Sequence, residues 1–180
     1  DGVHTTELSQ AVVFDIDGDG SAETLSWTNP KTEEGFLYLD LDHDGRVNDG
    51  RELFGDATVL PSGEAAENGF LALAVYDQPE YGGNADRVIS QEDWVWESLG
   101  VWIDLNHDGF SQRSEMRPVR SFQIKELALD YDVAERMDGN LNIHRYVGAF
   151  TKRTPEPGGS PAARIYAMDD VFFRIGHENE

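Results

Sequence analysis

The feature that most constrains this chain is a spacing pattern in which acidic or amide side chains alternate with other residues and lead into a glycine. In residues 104–115, oxygen-bearing side chains stand at positions 1, 3, 5 and 12, and Gly109 stands at position 6. A calcium loop of the EF-hand type needs this arrangement, together with a backbone carbonyl at position 7. The candidate ligands are Asp104, Asn106, Asp108, Phe110 through its carbonyl, Gln112 and Glu115. The segment predicts a calcium site, and the alternative is an ion-free turn, because aspartate and asparagine also favour turns.

Two earlier segments follow the same pattern with departures. Residues 40–52 offer Asp40, Asp42, Asp44, Arg46 through its carbonyl, Asn48 and Glu52 as ligands, and the closing glutamate stands one position late, at 13. Gly50 permits the altered backbone path that would turn Glu52 inward. Residues 15–23 offer Asp15, Asp17, Asp19, Ser21 and Glu23. Because position 12 of that segment is a serine, we expect a calcium turn between two strands there.

A fourth segment is a degraded version of the pattern. Residues 77–93 fit once an insertion after Asp77 is set aside, and the candidate ligands are then Asp77, Asn84, Asp86, Val88 through its carbonyl, and Asp93. Arg87 stands where the glycine belongs. The spacing therefore leaves both binding and loss of binding open.

The charge of the chain agrees with several cation sites. The sequence has 35 acidic and 14 basic residues, a formal net charge of −21, and residues 1–93 hold 21 of the acidic residues but only four of the basic ones. Clustered carboxylates repel each other unless a cation lies among them. Such a balance argues against nucleic acid as a partner, since a phosphate-backbone binder needs a surplus of cations. No apolar run is long enough to span a membrane, and the absence of cysteine excludes disulfides, thiol nucleophiles and Cys-ligated zinc.

The predicted fold class is α+β in a single domain, with short helices and β-hairpins around several EF-hand-like calcium loops. We expect helices over 64–76, 90–99 and 113–122, and strands over 11–14, 23–27, 36–41, 101–104, 126–131, 142–152 and 163–175. Residues 153–161, rich in proline and glycine, are expected to form the most mobile loop. Residues 1–132 form the predicted calcium-binding region, and residues 133–180 form a C-terminal β-hairpin packed on the same domain.

The histidines and tryptophans do not form a site by their spacing. His43 and His107 stand at position 4 of their loops, which normally faces solvent, so we expect surface positions. The four tryptophans, Trp27, Trp94, Trp96 and Trp102, are expected in the core because apolar residues surround them in the sequence.

Longer runs resemble a known family. The segments VFDIDGDG (13–20), GRELFGD (50–56) and VWIDLNHDGFSQ (101–112) are similar to calcium-binding modules of large secreted RTX-type bacterial proteins. The resemblance covers roughly residues 1–132. It implies a secreted, extracellular or cell-surface module that folds on binding Ca²⁺, and the four candidate loops would hold about three to four ions. The implied partners are other domains of a larger secreted protein or a cell-surface ligand. Some members process themselves at an Asp-Pro bond, but this chain has no Asp-Pro, so any such bond would lie outside it.

Two other function classes remain as alternatives to a structural calcium module. Residues 11–18 resemble the first motif of haloacid-dehalogenase-type phosphatases, in which Asp15 would attack phosphorus with Mg²⁺ assistance. Asp19-Gly20-Ser21 departs from that motif, and the alternating βα pattern is absent, so we expect no enzyme. An adhesion or ligand-binding domain is the third class, with the 153–161 loop and the insertion around Tyr81 as candidate contact surfaces.

Overall fold

Antiparallel β-structure dominates the fold in this computed structural model, which describes residues 2–155 and 162–176. The described strands are β1 Val12–Phe14, β2 Glu23–Leu25, β3 Phe36–Leu39, β4 Val88–Ser90, β5 Leu99–Trp102, β6 Met116–Pro118, β7 Ile124–Met137, β8 Ile143–Thr154 and β9 Ala162–Phe172. They form a β1–β2 hairpin, a three-stranded sheet in the order β3–β5–β6, and a four-stranded sheet in the order β4–β7–β8–β9. Most of the loop expected over 153–161 lies outside the described residues.

The predicted α+β class with several helices is wrong. Within the described residues the one α-helix is α1, Gly69–Ala74, which a 3-10 turn over Val75–Asp77 continues. The helix is shorter than expected because Asn68 caps it, its side chain accepting the N–H of Leu71 at 2.9 Å.

The other two expected helices are strand residues and 3-10 turns. In 90–99, the carboxylate of Asp93 accepts the N–H of Ser90 at 2.7 Å, so these two residues close a loop and do not cap a helix. A 3-10 turn follows over Trp94–Glu97. In 113–122, Pro118 lies in β6 and has no N–H to donate to a helix. A 3-10 turn over Val119–Phe122 follows it.

The strands that sequence patterning located are longer or shorter than expected at their ends. The segment expected over 126–131 is the middle of β7, which runs from Ile124 to Met137. This strand therefore continues past residue 132, where the predicted calcium-binding region ends. With β8 and β9 it forms an antiparallel meander in which Leu127 pairs with Phe150, and Phe150 with Tyr166.

Two clusters of buried apolar side chains form the core. The first cluster contains Val12, Phe14, Leu25, Trp27, Val47, Leu53 and Trp102. The second cluster contains Leu73, Ile89, Val95, Trp96, Leu99, Val119 and Leu127. The first cluster is aromatic at its centre, where the ring centroids of Trp27 and Trp102 lie 5.7 Å apart. Burial of three tryptophans follows the expectation.

The expectation for Trp94 is wrong, since 79% of this residue is exposed. It covers Gly82, where an added Cβ would lie 2.2 Å from the indole ring. Its ring therefore packs on backbone at the surface. No helix in the described part of the chain is long and apolar enough to cross a membrane.

Candidate metal centre

The four candidate segments fold into loops, and each loop contains the same type of hydrogen bond. We call them, in chain order, loop 1 (residues 15–23), loop 2 (40–52), loop 3 (77–93) and loop 4 (104–115). In each, the aspartate at position 1 accepts the backbone N–H of the residue at position 6. The four N–H···Oδ2 distances are 2.9 Å for Gly20 to Asp15, 3.0 Å for Gly45 to Asp40, 2.9 Å for Arg87 to Asp77, and 2.9 Å for Gly109 to Asp104. This bond holds each first carboxylate inside its turn.

The backbone path is also shared. Positions 4 and 6 have a positive φ in all four loops: Gly18, His43, Ala85 and His107 at position 4, and Gly20, Gly45, Arg87 and Gly109 at position 6. A left-handed conformation costs a non-glycine residue about 1–2 kcal/mol. Arg87 adopts it at φ 72°, and its guanidinium forms an ion pair with Asp130 of β7. The departure from glycine in loop 3 therefore changes the side chain at position 6 and keeps the turn.

An acidic side chain closes each loop from the far end. In loops 1, 2 and 4 it accepts the N–H of the residue at position 2, with distances of 3.1 Å for Ile16 to Glu23, 2.9 Å for Leu41 to Glu52, and 2.9 Å for Leu105 to Glu115. Glu52, although one position late in the sequence, thus reaches the same backbone group as its counterpart Glu115. In loop 3 the closing Asp93 accepts the N–H groups of Asn84 at 3.3 Å and Ser90 at 2.7 Å.

The remaining oxygen donors converge within the loops. Oxygens of Asp15, Asp17 and Asp19 lie within 4.8 Å of one another, as do those of Asp40, Asp42 and Glu52. In loops 2, 3 and 4, side-chain amides hold the carboxylate at position 5: Asn48 reaches Asp44 at 3.1 Å, Asn84 reaches Asp86 at 2.9 Å, and Asn106 and Gln112 both reach Asp108 at 2.7 Å. The residues at position 7, namely Ser21, Arg46, Val88 and Phe110, donate their N–H groups to the same carboxylates.

The electrostatics of the loops fit a hard cation. Burial raises the pKa of Glu52, and the charges of Asp42 and Asp40 raise it further, against the lowering effect of two backbone N–H donors. Burial likewise raises the pKa of Asp93, and the charges of Asp77 and Asp86 raise it further. In loop 2, Oδ1 of Asp40 is buried and has no hydrogen-bond partner among the described residues. An orphaned carboxylate oxygen among repelling carboxylates matches the all-oxygen coordination that Ca²⁺ takes.

Some contacts of the loops could not be read from local spacing. The indole Nε1–H of Trp27 donates to Oδ2 of Asp104 at 2.9 Å, and both residues are buried. His43 is exposed as expected, but His107 is half-buried and its Nε2 lies 2.7 Å from the carbonyl oxygen of Gln10. The expected solvent-facing position is therefore wrong for His107, because loop 4 packs against the residues before β1.

A second polar cluster lies away from the loops, and no sequence pattern indicated it. His144 is fully buried, with Nδ1 2.7 Å from Asp169 and Nε2 3.4 Å from Asp138. Asp138 accepts further hydrogen bonds from Thr5 and Asn142, which bring its pKa down to about 2 although burial opposes this. The cluster ties the start of the chain to β8 and β9.

Comparison with known proteins identifies the family of the chain. The SPM domain family matches residues 1–160. The iron-regulated protein FrpA of Neisseria meningitidis serogroup C is 34% identical to this chain over 177 residues. That match covers 97% of this chain and 15% of the relative, so the chain spans less than a sixth of the relative's length. Both matches are consistent with an RTX-related module of a bacterial protein.

Proposed function

Because this chain belongs to the SPM domain family, we propose that it is a calcium-binding structural module of a secreted or cell-surface bacterial protein. The observation that carries the proposal is the common geometry of the four loops. Each loop turns one carboxylate inward at its start and a second one inward at its end. About three to four Ca²⁺ ions would occupy them, each held by carboxylate, amide and carbonyl oxygens.

Ion binding would be coupled to folding, because the loops carry part of the core. Val47 of loop 2 belongs to the first cluster, and so does Leu53, next to the closing Glu52. Without a cation, the repulsion among Asp40, Asp42 and Glu52 opposes the closure that buries these apolar residues. The free energy of binding then appears as free energy of folding. Affinities on the order of 10⁻⁴–10⁻³ M are typical of extracellular calcium modules.

The proposed role is structural. We propose other domains of a larger secreted protein as partners, with calcium as the ligand that holds the module folded. Calcium supplies positive charge to the loops when bound, and the chain's own residues orient the oxygens and bury the surrounding apolar surface.

A calcium titration of chelator-treated protein tests the proposal. Calorimetry and near-ultraviolet circular dichroism monitor the titration on the same samples. We expect saturation at three or four ions, together with a gain of signal from the aromatic core. A folded protein that releases no heat and shows no change would contradict the proposal and leave the loops as ion-free turns.

A further inference from the structure

We propose that loops 1, 2 and 4 bind calcium as one coupled unit, joined through Ser111 and Gly50, whereas loop 3 binds separately. The inference rests on the proposed calcium-binding function and concerns how its sites depend on one another. It starts from hydrogen bonds that run from one loop to the next.

Loops 2 and 4 are joined by a pair of buried hydrogen bonds. The hydroxyl of Ser111 accepts the N–H of Val47 at 2.8 Å and donates to the carbonyl oxygen of Val47 at 3.0 Å. Both residues stand at position 8 of their loops, and their exposed fractions are 6% and 4%. A buried hydrogen bond that loses its partner leaves an unsatisfied polar group in the interior, which is unfavourable. The two loops therefore hold each other's backbone in place.

The position of this pair makes it a route for coupling. Val47 precedes Asn48, whose N–H donates to the closing carboxylate of Glu52 at 2.9 Å. Ser111 lies between Asp108 and Glu115, the middle and closing acids of loop 4. When an ion fixes the acids of one loop, it also fixes the residue that anchors the other loop.

Loops 1 and 2 are joined at Gly50. Its N–H donates to the carbonyl oxygen of Asp15, the first residue of loop 1, at 2.8 Å. The approach leaves no room for a side chain, since a Cβ on Gly50 would lie 1.7 Å from the carbonyl oxygen of Ile16. Gly50 stands two residues before Glu52, so the backbone that delivers the closing acid of loop 2 is bonded to the start of loop 1.

Loop 4 also contacts the strand that leads into loop 1. A Cβ on Gly109 would lie 2.9 Å from the carbonyl oxygen of Val13 in β1, and His107 contacts Gln10 just before that strand. Loops 1, 2 and 4 are thus each in contact with the other two or with their flanking residues, around the first core cluster.

Loop 3 is packed elsewhere. Its Ile89 belongs to the second core cluster, and the carbonyl oxygen of Arg87 accepts the N–H of Leu129 in β7 at 3.1 Å. Within residues 2–155 and 162–176, no hydrogen bond joins loop 3 to loops 1, 2 or 4. An ion in loop 3 is therefore expected to bind without changing the other three.

The four amides at position 6 provide one reporter per loop for a test by NMR. In a calcium titration of the whole ¹⁵N-labelled chain, we expect the signals of Gly20, Gly45 and Gly109 to share one midpoint and that of Arg87 to have its own. Ser111→Ala removes both inter-loop hydrogen bonds, and we expect it to separate the midpoints of Gly45 and Gly109 by at least about fivefold, the lower end of typical coupling between sites. The matched control is Ser114→Ala, an exposed serine in the same loop, which should leave them together.

Other outcomes overturn the coupling. If Ser111→Ala moves all four midpoints equally, Arg87 included, the serine supports the whole fold and not a link between loops. If the three glycine signals already have separate midpoints in the wild type, there is no coupled unit. A chain in which no amide responds to calcium would instead refute the proposed function.

A second pair of variants keeps the test decisive if Ser111→Ala does not fold. Asp104→Asn weakens loop 4 and should raise the calcium midpoint of Gly45 in loop 2, whereas Asp77→Asn weakens loop 3 and should leave Gly45 unchanged. Equal effects of the two variants on Gly45, or no effect of either, would refute the coupling.

Discussion

At the scale of single residues, a partly buried carboxyl outside the loops makes the stability of the module depend on pH. Burial raises the pKa of Asp170 to about 6, and the nearby charge of Asp56 raises it further, although the N–H of Gly69 donates to Asp170 at 2.8 Å. Since the folded state holds this proton more tightly than the unfolded chain does, the contribution of Asp170 to stability falls as the pH rises from about 4 to about 6.

Asp170→Asn should therefore stabilise the module at neutral pH. Asparagine keeps an oxygen for the N–H of Gly69 and carries no charge. We expect the free energy of unfolding in urea, with saturating calcium, to rise at pH 7.5 by up to about 3 kcal/mol and to change much less at pH 4.5. Asp132→Asn, at an exposed position of β7, is the control. An equal gain at both pH values would contradict the assignment.

A second prediction at this scale concerns the closing acid of loop 4. Glu115 is buried and accepts the N–H groups of Leu105 and Asn106. Glu115→Gln removes the charge and the bidentate carboxylate. We therefore expect the calcium affinity of loop 4, measured from the NMR signal of the Gly109 amide, to fall at least about tenfold, or 1.4 kcal/mol. His107→Ala should change that affinity about twofold at most, since this side chain contacts Gln10 outside the loop. Equal losses would mean that loop 4 is not an EF-hand-type site.

Spacing predicted the turns of loops 1, 2 and 4 at this scale, because the residues that form each turn lie close together in the sequence. Asp104, Gly109 and Glu115 could be assigned to positions from spacing alone. The bond from Trp27 to Asp104 joins residues 77 apart, and no local pattern specifies it. The same holds for the buried His144 and its two aspartates.

At the scale of elements, local propensity identified strands better than helices. The strands around loop 1 were expected within two residues of β1 and β2, since alternating apolar residues next to an Asp/Gly turn specify a hairpin. The helix expected over 90–99 is absent because the carboxylate of Asp93 accepts the N–H groups of Ser90 and Asn84 and so closes loop 3.

Gly50→Ala is the prediction that belongs to this scale. The 3-10 turn over Gly50–Glu52 fits against loop 1 only without a side chain. We expect the variant to lose at least about 2 kcal/mol of unfolding free energy in saturating calcium, measured by urea denaturation.

Gly55→Ala is the matched control for that turn. No atom lies within 4 Å of a Cβ built on Gly55, and its φ is not positive. A change below about 1 kcal/mol is expected. Equal losses in the two variants would show that close packing at Gly50 is not the cause.

At the scale of the whole molecule, net charge opposes folding. The chain carries a formal charge of −21, most of it in the part that contains loops 1 to 3. Composition alone predicted this repulsion. The arrangement of three sheets around two core clusters could not be predicted, because it depends on pairings such as Phe36 with Trp102 that are far apart in the chain.

Calcium-free module should therefore become more stable as salt is added. Raising choline chloride from 0.05 to 0.5 M shortens the Debye length from more than 10 Å to about 4 Å, which screens the carboxylates without offering them a small cation. We expect the thermal midpoint of the apo chain to rise over this range and that of the calcium-loaded chain to change less. A fall in the apo midpoint would indicate that repulsion is not what limits its stability.

The hydrogen bond from Trp27 to Asp104 has an optical consequence. It connects the aromatic core cluster directly to the carboxylate of Asp104, at position 1 of loop 4. The ground and excited states of the indole therefore experience the charge of that carboxylate. The chain therefore carries its own fluorophore for the coupled unit of loops 1, 2 and 4. Emission from Trp27 should follow occupation of that unit and should not respond to an ion in loop 3.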